Sequence, residues 1–181
     1  MSDSQYSANF NMAIGLVLGL EGGFNDIAED KGGAMSYGIS LTFLKRHNLD
    51  LSQDGIINEE DIKQLTQNKA IELYHKYFWD RDFESISSAY VRNKLFEMSV
   101  NMGKRQAVKL LQRALRATGQ KDVVDDGIVG VKTLDAISSA NLDGLKASLK
   151  SEQAGFYRLL AAKNDSQKIF LKGWLNRAYE N

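Results

Sequence analysis

Cysteine is absent from the 181 residues, so disulfides and thiolate metal sites are excluded and the redox compartment is left open. Proline is absent too, which is unusual for this length, and nothing in the sequence accounts for it. Net charge is missing as well. The 23 basic residues balance 23 acidic ones, so no global field recruits nucleic acid or anionic lipid. Long apolar runs are also lacking. The run Ala13–Leu20 reaches only about half of the roughly 20 residues that span a bilayer, and Glu21 ends it. The opening MSDSQYSANF has neither the basic flank nor the small-residue cleavage site of a signal peptide. The expectation is a chain made in the cytoplasm, with no membrane insertion and no nucleic-acid partner. Any work beyond the membrane would need a separate release system.

What is present is an apolar fraction of 43%, enough for one compact domain or two small ones sharing an interface. The periodicity is nearly all helical. Phe10, Ile14, Val17 and Glu21 fall on one helical face, with Gly22 and Gly23 as the stop. Thr66 caps a helix whose buried stripe is Ala70, Leu73, Tyr74 and Tyr77. Val91, Leu95 and Met98 mark another helix. Ala107, Leu110, Leu111, Ala114 and Leu115 mark a third, closed by Gly119. Three more are expected at about 131–140, 143–163 and 166–179, the last with Ile169, Phe170 and Trp174 on its apolar face. The stretch GGAMSYGIS has the glycines and alternation of a short β-hairpin. A break is expected near Asn101–Gly103, dividing 1–100 from 101–181. His47 and His75 have no partner at metal-ligand spacing and read as surface residues.

Six of the fifteen glycines lie between Gly19 and Ser40, with carboxylates among them. Glycine at that density marks tight turning or close approach to a ligand. Apolar neighbours and the negative end of the first helix should both raise the pKa of Glu21, as a general acid requires. Asp30, with eight residues between it and Glu21, lies in the glycine-framed loop, and Ser36 follows after five more. Glycoside hydrolysis needs one carboxyl group to protonate the leaving oxygen and a second group to hold water or stabilise positive charge. The spacing E-x8-D-x5 followed by a hydroxyl is that of phage-type lysozymes.

The motifs Glu21-Gly22-Gly23-Phe24 and Asp30-Lys31-Gly32-Gly33-Ala34-Met35-Ser36-Tyr37-Gly38-Ile39 resemble family 108 of the glycoside hydrolases, the peptidoglycan muramidases that include phage endolysins and secretion activator proteins. Lys31 stands where that family usually has Pro, and Met35 stands at its usual Thr, so the hydroxyl role passes to Ser36. The likeness continues through Tyr77-Phe78-Trp79-Asp80, Phe96-Glu97-Met98-Ser99-Val100-Asn101-Met102-Gly103 and Gly173-Trp174-Leu175-Asn176-Arg177. The stretches Leu111-Gln112-Arg113-Ala114-Leu115 and Asp126-Gly127-Ile128-Val129-Gly130 resemble the peptidoglycan-binding part of such proteins.

The resemblance implies an all-α, lysozyme-like fold with a small β-hairpin at the active site. It also implies hydrolysis of the β-1,4 bond between N-acetylmuramic acid and N-acetylglucosamine. Glu21 would be the acid, Asp30 and Ser36 its helpers, and Tyr37 and Asn101 would line the glycan cleft. The partner implied is the peptidoglycan glycan strand, reached by a monomer through a holin or other release system and cut in the periplasm or wall. No cofactor is required for that chemistry. Two other readings stay open: a lytic transglycosylase, and a non-catalytic module that binds peptidoglycan or calcium.

A second pattern runs from Asp50 to Asp61. Counted as a twelve-residue loop, it puts Asp50, Ser52, Asp54 and Asn58 at positions 1, 3, 5 and 9, Gly55 at 6, the Ile56 carbonyl at 7 and Asp61 at 12. That is an EF-hand arrangement, with Ser at 3 and Asp at 12 as departures, and it predicts a structural Ca2+ of modest affinity.

Overall fold

Polar side chains cap several of the helices, Thr66 among them as expected. The computed structural model describes residues 5–20 and 35–180. Within them lie α1 (Ala8–Leu20), β1 (Met35–Ser36), β2 (Ile39–Ser40), α2 (Leu41–Arg46), α3 (Glu59–Lys63), α4 (Gln67–Phe78), α5 (Arg81–Ser85), α6 (Ala89–Met102), α7 (Lys104–Ala117), α8 (Val131–Ser139), α9 (Leu142–Lys163) and α10 (Leu171–Tyr179). Thr66 Oγ1 accepts from the Lys69 N–H at 3.2 Å and starts α4. Ser88 does the same for α6 and Asn141 for α9, each removing one orphan donor of a first turn. Among the described residues no helix is long and apolar enough to cross a membrane.

The chain divides into two compact units, Met1–Trp79 and Asp80–Asn181. The position 100/101 lies within the last turn of α6, which belongs to the second unit and packs on α7.

In the first unit, the predicted stripe of α1 is the buried one: Phe10, Ile14 and Val17 are almost fully covered. Phe10 meets the Trp79 ring edge-on at 5.3 Å, so Trp79 is core-facing here. From α4, Ala70, Leu73 and Tyr74 are buried, while Tyr77 is half-buried. The two histidines differ from the surface placement expected of them. His75 packs between Tyr6 and Phe10, and His47 lies 4.2 Å from the Tyr77 ring and 4.5 Å from Phe43. Each sits one helical turn from an aromatic on its own helix face, and neighbouring rings close over it.

In the second unit α7 is strongly amphipathic. Ala107, Leu110, Leu111, Ala114 and Leu115 are buried against α6 and α9. Each fully buried leucine there contributes about 2–3 kcal/mol of hydrophobic stabilisation. Tyr157 of α9 stacks on Trp174 of α10 at 5.2 Å, over Ala154 and Ala178. The expected helix 166–179 is two elements. Residues Asp165–Phe170 form a 3-10 turn, in which Ile169 is 71% exposed instead of lying on an apolar face. The tighter three-residue period of that turn rotates Ile169 out of register with the stripe of α10.

Candidate active site

Glu21 and Asp30 lie outside the described residues. Strands β1 and β2 pair antiparallel, Met35 with Ser40 and Ser36 with Ile39, leaving Tyr37 and Gly38 as a two-residue turn. Both turn residues have positive φ, 50° at Tyr37 and 76° at Gly38, which is the I′ geometry that matches strand twist. Glycine adopts this at no cost. Tyrosine does so against the repulsion of its own Cβ, and such outliers persist only where the surroundings hold them.

Here the holding group is visible: the Tyr74 hydroxyl, from the buried middle of α4, donates to the Tyr37 carbonyl at 3.0 Å. Ser40, at the end of β2, caps α2 by accepting from the Phe43 N–H at 3.2 Å. The hairpin is thus fastened at its turn by α4 and at its exit by α2. Ser36 and Tyr37 are both half-buried on it. The role of Tyr74 as an anchor was not legible from the apolar stripe that contains it, because periodicity ranks tyrosine as bulk and says nothing of its hydroxyl.

The loop 50–61 lies in the same unit. Asp61 is fully buried, and one of its oxygens accepts from the Leu51 and Ser52 N–H groups at 2.7 and 2.9 Å. Its other oxygen accepts from Asn58 N–H at 2.8 Å, and Asn58 in return caps α3. The backbone donors of Ser52, Asn58 and Leu51 outweigh burial and hold the Asp61 carboxyl down to about 2. Asp50 accepts from Gln53 and Gly55 N–H, and Asp54 from Ile56 N–H. The predicted ligands Asp50, Ser52, Asp54, Ile56, Asn58 and Asp61 thus close the loop on itself. Among the described residues no three acidic or imidazole groups gather as a metal site. Aspartate at position 12 is one methylene shorter than glutamate, and its carboxylate serves the loop's own amides.

In the second unit, Asn101 stands at the end of α6 with both ends of its amide engaged. Its nitrogen donates to the Glu97 carbonyl and to Glu97 Oε1 at 2.8 and 2.9 Å, and its oxygen accepts from Arg177 of α10. Behind it, Glu97 and Lys94 form a buried ion pair at 3.2 Å. Lys94 also donates to the Arg177 carbonyl at 2.9 Å, near the end of α10. Burial pushes the Glu97 carboxyl up, partly offset by the Lys94 ammonium, and the same burial pushes Lys94 down. Sequence reading passed over this pair. The available clue was a Lys and a Glu three residues apart among the buried Leu95, Phe96 and Met98.

The loop before α8 is organised by Gln112 of α7, which is 1% exposed. Its nitrogen lies 2.8 Å from Asp126 Oδ1 and 3.0 Å from the Ile128 carbonyl, and its oxygen accepts from Gly127 N–H at 2.9 Å. Gly127 has φ +81°, and a Cβ there would stand 2.6 Å from Arg105 Cγ and 2.8 Å from the Arg105 carbonyl. Only glycine combines that backbone with that approach.

The comparisons fall on these same segments. Residues 14–103 match the family model described as Glycosyl hydrolase 108. That stretch is a glycosyl hydrolase family 108 domain. Residues 106–179 of this hydrolase match a second model, described as Predicted Peptidoglycan domain. The solved structure titled "Structure of Brucella abortus SagA" is similar, with 27% identity and a TM-score of 0.69 over 93% of this chain and 88% of that one. No curated protein sequence matches the chain significantly. The hydrolase is therefore a glycoside hydrolase acting on peptidoglycan, with the all-α, lysozyme-like fold and small hairpin expected of it.

Proposed function

We propose that the hydrolase is an N-acetylmuramidase, cutting the β-1,4 bond between N-acetylmuramic acid and N-acetylglucosamine. Glu21 protonates the bridging oxygen. Asp30, helped by the Ser36 hydroxyl, orients water or stabilises the oxocarbenium-like charge. Tyr37 offers its ring to the glycan, and the reaction takes place in the wall. The observation that carries this reading is the family 108 match across 14–103, which contains Glu21, Asp30 and the hairpin bearing Ser36 and Tyr37 in the spacing two-carboxylate glycoside hydrolysis calls for.

The test is turbidity clearing of purified Gram-negative sacculi, with product mass, for wild type and Glu21→Gln. Reducing-end muropeptides from the wild type, with clearing by Glu21→Gln slowed by at least about a hundredfold, are expected. Anhydro-sugar products would make the enzyme a lytic transglycosylase. Unimpaired clearing by Glu21→Gln would remove Glu21 from the chemistry.

A further inference from the structure

The second unit carries a groove of about 590 Å³ between the turn that follows α7 and the outer side of α8. That volume lies within the range of small-ligand sites. Its walls are Gln120, Lys121 and Asp122 on one side and Lys132, Asp135 and Ser139 on the other, above a floor made by the buried Val123 and Ala136. No aromatic ring lines it. The two lysines and two aspartates face solvent, and among the described residues none of the four forms a salt bridge. A few residues away, Arg113 and Arg116 pair with Asp125 instead. Val124 and Val131, chain neighbours of two lining residues, are 65% and 74% exposed.

The chemistry of this groove selects between the two halves of its polymer. The glycan strand of peptidoglycan is uncharged and N-acetylated, and pyranose faces are held by aromatic rings. The carboxylates and free amines of the polymer are on its short peptide stems, together with alanine methyls. We propose that the groove binds the peptide stem, with Lys121 and Lys132 receiving its carboxylates, Asp122 or Asp135 its free amine, and Val124 and Val131 lying beside its methyl groups. The inference rests on the peptidoglycan reading above. It assigns to the second unit the recognition of peptide, leaving the sugar to the family 108 domain. Each charged contact adds a charge-assisted hydrogen bond, stronger than its neutral equivalent.

The experiment titrates the full chain, labelled with 15N, with a synthetic L-Ala-γ-D-Glu-diaminopimelate-D-Ala tetrapeptide and, separately, with chitotetraose. The tetrapeptide is expected to shift the amides of 120–123 and 132–139 and chitotetraose to leave them in place. Lys121→Glu/Lys132→Glu should weaken tetrapeptide binding by at least about tenfold. Ser139→Trp, which fills the groove without altering its charge, should weaken it as well, with the thermal midpoint of both variants near wild type because all three positions are exposed. Shifts of these amides by chitotetraose instead, no shift by either probe, or tetrapeptide binding by both variants at wild-type strength would overturn the assignment. Wild-type clearing of sacculi, measured in parallel, keeps the two readings apart. An inactive wild type that still binds the tetrapeptide defeats the muramidase reading alone, and an active wild type with an indifferent groove defeats this one alone.

Discussion

The Tyr74 hydroxyl holds the Tyr37 carbonyl at 3.0 Å, joining the buried face of α4 to the turn of the hairpin. This bond offsets the positive φ of Tyr37 and fixes the direction in which its ring leaves the backbone.

Removing that hydroxyl tests the coupling. Tyr74→Phe keeps the ring that fills the core and leaves the Tyr37 carbonyl without this donor, so stability should fall by about 1 kcal/mol. Clearing of sacculi should fall further than that small loss of folded protein explains. Denaturant unfolding alongside turbidity assays separates the two effects, and full activity in the variant would show that the hairpin keeps its shape unaided.

Lys94 and Glu97 are a pair whose members need each other. Lys94→Met leaves the Glu97 carboxylate buried without its cation, a loss of about 3–5 kcal/mol near neutral pH. The sign with pH follows from the upward shift of Glu97. Its folded value lies above its unfolded one, so its favourable contribution is complete below the unfolded value and is lost as pH rises through the folded value. Lys94→Met should therefore be nearest to wild type at about pH 4 and fall away above it, as read by thermal unfolding across pH.

Asp61 behaves oppositely. Its folded value is about 2 against an ordinary 3.8, so its contribution is present above about pH 4 and is lost as pH falls toward 2. Asp61→Asn should lower the midpoint at pH 7 and flatten its dependence between pH 4 and 2. A variant whose acid unfolding tracks wild type would show that the loop's amides do not depend on this carboxylate.

Calcium must compete with those same hydrogen bonds to enter residues 50–61. Its binding is expected on the order of 10⁻³ M, in the weak range of extracellular calcium modules. Calorimetric titration of the EDTA-treated protein measures this directly. Micromolar binding would mean that the loop rebuilds itself around the ion.

Gly127→Ala should be among the most damaging single-methyl changes in the second unit. The left-handed backbone alone costs about 1–2 kcal/mol, and the new Cβ collides with Arg105. Gln112→Leu, which leaves the Gly127 N–H without its acceptor and takes one of several donors from the Ile128 carbonyl, should cost about 2 kcal/mol. Faster hydrogen exchange at Gly127 in Gln112→Leu, with the α6 amides unchanged, is the expected signature.

By itself the sequence determined the helices, because periodic apolar residues and short polar caps act over one or two turns. Phe10, Ile14 and Val17 could face only one way, and Thr66 could begin only one helix. It also placed the hairpin, through its glycines and alternation, although the Tyr37 turn is held by Tyr74 of α4, and it set the spacing of Glu21, Asp30 and Ser36, which is a property of the chain. Tertiary structure decided what the polar side chains do. Asn101 and the ligand-like set from Asp50 to Asp61 read as groups turned toward a partner, and the tertiary structure adds bonds from them to donors or acceptors of their own unit. Lys94, Gln112 and Tyr74 read as ordinary helix residues, yet they fasten segments 83, 15 and 37 residues away. A hydrogen bond between distant segments leaves no period in the sequence. Its partners are chosen only when burial removes water as the alternative.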